Sequence, residues 1–286
     1  MRIAHIIMAH KNPNQLLRLV KRLEHPNSDI FIHIDKKVAI DDFKVITSLP
    51  DIHIVKNRIN CNWGGNSFLN AIVGSLSEVI SAEHDYDFVN LLSAQDYPLT
   101  SADNIYEFFK GNVGKNFVSY EESKESEWWK NAVQRYEKHH FTDFNFKGKY
   151  VVQAVVNKIY PKRKFPMAME LFGSCKSSWW TVSGACAKHV YDVFSNNKKL
   201  NQFLKYSWGS DEFAIATVVM NSPYKNSTVN NNLRYIDWSE GNAHPKILRS
   251  GDFESIQNSN MLFGRKFDDE IDGKIMDRLD EQLVKI

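Results

Sequence analysis

The sequence predicts an α/β protein with a mostly parallel central sheet flanked by helices. Three observations lead there. Strand-like apolar runs alternate with amphipathic helical stretches through the first hundred residues. The runs are mostly apolar and lack strict alternation with polar residues, as in strands covered on both faces. Each is followed at once by a polar cluster, and a parallel sheet binds its ligands at the C-terminal ends of its strands.

The elements follow in order. Ile3 to Met8 is the first buried strand, broken only by His5. Pro13 to Leu23 carries Leu16, Leu17, Val20 and Leu23 at helical spacing. Ile30 to Ile34 is a second strand and Ile52 to Val55 a third. Phe68 to Ile80 is a helix with Leu69, Ile72, Val73, Leu76 and Val79 on one face. Phe88 to Leu92 is the fourth strand. His10-Lys11, Asp35-Lys36-Lys37 and Ser93 to Asp96 stand at three equivalent strand ends. Any one of them could be a solvated turn; three together point to a pocket. Further on, Ser178 to Val182 reads as a strand and Cys186 to Phe194 as a helix. Leu233 to Trp238, Met261 to Phe267 and a helix from Ile271 to Val284 close the chain.

At 286 residues the chain is long enough for one large domain, read here as 1–286, with a first half (1–110) and a second half (111–286). Residues of about 121–166 differ in character. They hold an acidic run, then Trp128-Trp129, Arg135 to His140 and Lys162-Arg163-Lys164, and read first as a solvated, variable insertion. An acceptor-binding flap or a membrane-surface contact is the alternative. The 36 basic and 34 acidic residues leave a net charge of +2, so charge gives no argument for a nucleic-acid partner. Cys61, Cys175 and Cys186 are far apart and suggest a reducing compartment, with neither a disulfide framework nor a zinc site. No apolar run approaches the ~20 residues of a membrane span. A cytoplasmic protein, at most peripheral at a membrane face, is the expectation.

The chemistry concentrates at Tyr206 to Met220, where Trp208-Gly209 runs into Ser210-Asp211-Glu212 and then an apolar segment. Ser210 would cap a helix there, and two acids in its first turn suit the helix dipole. A reciprocal cap would need Glu or Gln at position 213, which is Phe213. Glu212 is thereby left as a single carboxylate, the group that removes a proton from an acceptor hydroxyl in sugar transfer. Dinucleotide, P-loop and zinc-protease motifs are missing. Gly64-Gly65 after Trp63 is a turn; His33 and His53 read as core or edge residues, and His139-His140 as a surface pair. Asp85-Tyr86-Asp87 has the spacing of a metal-binding pair but precedes its strand, at the wrong end of the sheet. A diphosphate held without metal needs cations in a dry site. Lys246 and Arg265-Lys266 are the candidates.

The ordered set of segments resembles the core-2/I-branching β-1,6-N-acetylglucosaminyltransferases and the related peptide O-xylosyltransferases. The segments are Ala9-His10-Lys11, Ile32 to Lys37, Trp63-Gly64-Gly65, Asn90 to Leu99, Gly209 to Glu212, Asn232 to Trp238, His244-Pro245-Lys246 and Arg265-Lys266-Phe267. The resemblance implies a GT-A fold, a UDP-sugar donor, inversion at the anomeric carbon and no metal or other cofactor. It makes Glu212 the base, although the proline of the family's Ser-Pro-Asp-Glu is replaced here by the Gly209-Ser210 context. It sets Lys246 and Lys266 on the diphosphate and Asp35 on the nucleoside, with Ala9, His10, Lys11, Trp63, Asp96 and Arg265 completing a donor site. Trp238 lies by the acceptor sugar, with Asp211 and Trp208 nearby. The animal enzymes carry a membrane anchor and many disulfides, so this chain looks like a bacterial relative. Its expected acceptor is a growing surface glycan, free or lipid-linked. The donor sugar is N-acetylglucosamine or, since Trp63 to Gly65 and Asn232 to Arg234 lean toward the other branch, xylose.

Overall fold

The computed structural model describes residues 1–121, 127–174 and 177–284. Part of the acidic run and Cys175 lie outside these. Four strands form the first half of the main sheet: β1 (Ile3–Ala9), β2 (Ser28–Ile34), β3 (Ile52–Ile54) and β4 (Phe88–Ser93). They pair in parallel in the order β3-β2-β1-β4. Strands β5 (Asp96–Pro98), β6 (Asn116–Val118), β7 (Trp180–Ser183), β8 (Thr228–Val229), β9 (Arg234–Ile236) and β10 (Phe263–Arg265) follow. Of these, β7, β6 and β8 extend the sheet beyond β4, with β7 antiparallel to both β4 and β6. Residues of both halves of the chain therefore share one sheet.

The core explains why the strand runs lack alternation. Ile3, Ile7 and Ala9 face one layer, with Leu16, Leu19, Val20 and Leu23 of the Pro13–Leu23 helix. Ala4, Ile6 and Met8 face the other, with Leu69, Ile72 and Leu76 of the Asn66–Ile80 helix. Successive side chains point to opposite faces and both faces are covered, so a position is apolar unless, like His5 and Asn90, it finds a buried hydrogen-bond partner.

The short strands β5, β10 and β9 make a second, three-stranded sheet. β10 runs antiparallel to β5 and parallel to β9, which sets Arg265 opposite Asp96. The strand β9 is pinned from below. The fully buried guanidinium of Arg234 donates to the Leu91 carbonyl at 2.8 Å, to Thr181 Oγ1 at 3.2 Å and to Asn90. Asn90 Oδ1 also accepts from Thr181 Oγ1 (2.8 Å), and Asn90 Nδ2 meets His5 Nδ1 at 3.0 Å. Burial, then the charge of Arg234, pushes His5 down to about 3, so this knot holds one cation rather than two.

Three elements differ from the sequence reading. Ser210 caps no helix: Ser210–Glu212 is a 3-10 turn, and the α-helix starts at Ala214. The Ser210 hydroxyl instead donates to Asn66 Oδ1 at 2.8 Å. The last helix divides at Gly273 into Asp269–Asp272 and Lys274–Val284. The middle of the chain is solvated only in part, since its first helix packs inward while residues 138–166 stay at the surface. Trp129 and Ala132 of the Glu127–Glu137 helix are buried in the main core.

Candidate active site

A cavity of about 360 Å³ opens where β1, β2 and β4 end. The order β2-β1-β4 makes this the point at which the strand sequence reverses direction, where α/β sheets leave a crevice. Ala9 and His10 enter from β1, Asp35 from β2, and Ser93 and Gln95 from the turn after β4. Trp63, Trp208, Asp211, Glu212, Trp238, Arg265 and Lys266 close it. Ten of the residues singled out in the sequence thus meet at one cavity.

One wall is cationic. Arg265 donates to the fully buried Asp96 at 2.7 Å and stacks over Trp179, 4.5 Å from the ring centre. Its neighbour Lys266 is held below the usual lysine value by burial, then by Arg265 and Lys11. Asp268 pulls the other way, but it is already paired with Lys11 at 2.5 Å. The His10 imidazole is likewise pushed down, by burial and then by Lys11 and Lys266. Two bases depressed first by burial and then by neighbouring cations mark a dry, positively charged place that an anion would suit.

Three expected residues stand back from the cavity lining. Lys11 is the partner of Asp268, and Asp96 is the buried seat of Arg265. Lys246 is held by Asp252 at 2.6 Å and Asp237 at 3.5 Å, although His244 and Pro245 beside it do line the cavity. Asp85 and Asp87 lie at the amino end of β4, where Asp87 accepts from the Arg2 amide at 2.7 Å. The thiol of Cys61 lines the cavity and is pushed up to about 12 by burial and Asp35, which leaves it an unreactive thiol.

The same cavity is lined by two adjacent carboxylates. Glu212 Oε2 accepts from Arg135 Nη1 at 2.5 Å. Asp211 is buried, accepts from the Ser178 hydroxyl, and is pushed up to about 6 by burial and then by the charge of Glu212. Neighbouring acids with such different surroundings can do different work. Sequence reasoning missed Arg135 because it sits in a charge-dense stretch that has no periodic or motif signal. The fold turns that stretch inward: Arg135 also lies 4.5 Å over the Trp208 ring, and its carbonyl accepts from the Trp208 amide at 2.8 Å.

The rim at Trp63 is fixed by Asp143, again from the middle of the chain. Asp143 accepts from Asn62 Nδ2 at 3.0 Å and from the Ser67 amide and hydroxyl at 2.8 and 2.7 Å. The two glycines after Trp63 are required by close approach. A Cβ on Gly64, whose φ is +69°, would lie 2.3 Å from Trp208 Nε1, and one on Gly65 would lie 2.1 Å from Asp143 Oδ1. Trp63 then meets Trp208 edge-on at 5.1 Å and stays 72% exposed at the mouth.

The Core-2/I-branching enzyme family matches residues 3–261, and the chain belongs to that family. Its similarity to individual proteins is low but long. A xylosyltransferase of Ciona intestinalis is 22% identical over 99% of this chain and 34% of its own length. Xylosyltransferase 2 of Rattus norvegicus is 24% identical over 99% of this chain and 34% of its own. The chain thus spans about a third of the curated relatives it matches. Among solved structures, mouse xyloside xylosyltransferase 1 in its apo form aligns over 92% of this chain and 97% of that one, at 9% identity and a TM-score of 0.41.

Proposed function

We propose that the chain is an inverting glycosyltransferase that moves a sugar from a UDP-sugar to a hydroxyl of a glycan acceptor. The observation that carries the reading is one cavity lined both by Lys266, whose carboxylate neighbour Asp268 is taken by Lys11, and by Glu212, held by Arg135. The diphosphate of the donor sits against Lys266 and Arg265, and the nucleoside lies toward Asp35. Glu212 takes the proton of the acceptor hydroxyl, and the oxygen forms its bond to the anomeric carbon. The bond to the diphosphate breaks on the opposite face, and its electrons leave with UDP. Lys266 then meets more negative charge than it did in the ground state, which is how a preorganised cation lowers a barrier. On this reading no metal is needed, because lysine and arginine neutralise the diphosphate.

The transferred sugar is N-acetylglucosamine or xylose; the names of the relatives favour xylose. The acceptor is a lipid-linked or free surface glycan, handled at the cytoplasmic face of a bacterial membrane. The test is a panel of UDP-sugars incubated with glycan acceptors, with products read by mass spectrometry. Transfer that disappears in Glu212→Gln while UDP binding persists supports the mechanism. Glycan binding with neither donor binding nor transfer would leave a glycan-binding protein, which needs neither base nor clamp.

A further inference from the structure

The helix Lys149–Ile159 is inside out. Its residues lie about 100° apart in projection, so Val151, Val152, Val155 and Ile159 fall on one stripe and Gln153 and Asn157 on the opposite side. In a helix packed on a protein the apolar stripe faces inward. Here the polar side does. Gln153 Oε1 accepts from the Phe141 amide at 2.8 Å. Asn157 bonds both the amide and the carbonyl of His139, at 2.7 and 2.8 Å. Lys149 Nζ donates to the carbonyls of Thr142 and Phe144, each at 3.0 Å. The aliphatic stripe points to solvent: Val151 is 69%, Val155 51% and Ile159 71% exposed, and Tyr150 and Tyr160, which bracket it in the sequence, are exposed too. Solvated helices do not keep such a stripe without an apolar partner.

Its surroundings say what the partner is. Residues 144–169 contain Lys147, Lys149, Lys158, Lys162, Arg163 and Lys164 and no acidic residue. Arg163 is spent on the Tyr206 carbonyl at 2.7 Å, and Lys162 pairs with Glu137. Lys147, Lys158 and Lys164 are exposed. A short valine-isoleucine stripe, flanked by tyrosines and ringed by lysines, has the composition of a helix that lies in a membrane interface. At 11 residues it is about 16 Å long and cannot span a bilayer.

We propose that the Lys149–Ile159 face docks the protein on an anionic lipid bilayer. This rests on, and deepens, the reading of a membrane-side acceptor. The segment 138–144 that hydrogen-bonds the helix also bears Asp143, the anchor of the Trp63 rim, so one segment holds both the helix and the rim.

The test is sedimentation with vesicles of phosphatidylcholine containing about a third phosphatidylglycerol, against phosphatidylcholine alone. The wild type should pellet with the anionic vesicles, less so in high salt. Val151→Gln/Val155→Gln/Ile159→Gln and Lys147→Glu/Lys158→Glu/Lys164→Glu should each lower its partition at least ~10-fold. Both alter only exposed side chains, and UDP titration of both should match wild type, so loss of docking is separable from loss of the donor site. Wild type that stays in the supernatant, or variants that bind as wild type, overturn the proposal. So does wild-type dimerisation in sedimentation velocity that the valine-isoleucine variant abolishes, because the stripe would then be a seam between two copies.

Discussion

Removing the ammonium of Lys266 should weaken ligand binding without weakening the fold. The group is partly buried beside Arg265 and Lys11, and its carboxylate neighbour Asp268 is taken by Lys11. Two charges ~4 Å apart attract by roughly 4 kcal/mol at the effective dielectric near a protein surface, and desolvation offsets part of that. A hydrogen bond to a charged group contributes about 1.5–3 kcal/mol net. Lys266→Ala should therefore raise the UDP dissociation constant by about 10- to 150-fold. The empty protein should melt no lower than wild type, because the substitution removes a like charge and a burial cost. Lys266→Met, which keeps the packing of the stem, should behave the same way. The depressed pKa adds a sign: at alkaline pH the empty site favours neutral lysine, so UDP binding should take up protons as the ammonium re-forms. Isothermal titration in buffers of different ionisation heat, with differential scanning calorimetry of the empty variants, reads all three effects. Wild-type affinity in both variants would refute the anion site. A melting temperature several degrees lower would make Lys266 a structural residue.

Other outcomes follow from the same geometry. Glu212→Gln should lower kcat by ~10²–10⁴ with UDP affinity near normal, measured by steady-state transfer and titration; unchanged turnover would make Glu212 only a partner of Arg135. Asp211 carries a folded-state pKa above its unfolded one, so the folded state binds more protons and its ionisation costs stability as pH rises from about 4 through 6. Asp211→Asn should therefore gain stability relative to wild type across that range, by up to ~3 kcal/mol, in urea denaturation at each pH; a pH-independent difference would contradict the cause. Gly64→Ala should cost ~1–3 kcal/mol, from positive φ and the clash with Trp208, and a normal melting temperature would contradict that clash. Activity should survive EDTA, whereas loss that Mn²⁺ restores would return Asp85, Asp87 and Asp96 to consideration as ligands.

The sheet was legible where burial is two-sided. β1, β2 and β4 carry apolar residues on both faces, and their polar followers His10, Asp35 and Gln95 do reach the cavity. What was illegible is short or relational. Three-residue strands such as β5 and β6 carry too few positions to show a period. Arg135 and Asp143 act through partners 77 and 76 positions away, Glu212 and Ser67, so nothing local marks them. The charge density of residues 121–166 suggested solvent because a charge pattern reveals its sign but not its neighbour. Ser210 misled for a related reason: the hydroxyl suited to a cap found Asn66 first.

The knot beneath β9 has a genetic consequence. His5, Asn90, Thr181 and Arg234 come from four strands, yet their buried side chains bond to one another, with the Leu91 carbonyl as a further acceptor for Arg234. They behave as one chemical position written in four places. Replacing Asn90 alone takes one acceptor from a buried guanidinium, while replacing Arg234 as well removes the need for the amide. The combined replacement should therefore cost less than the sum of the single ones, with coupling of ~0.5–3 kcal/mol in double-mutant cycles. A redesign of this protein should exchange all four residues together or none.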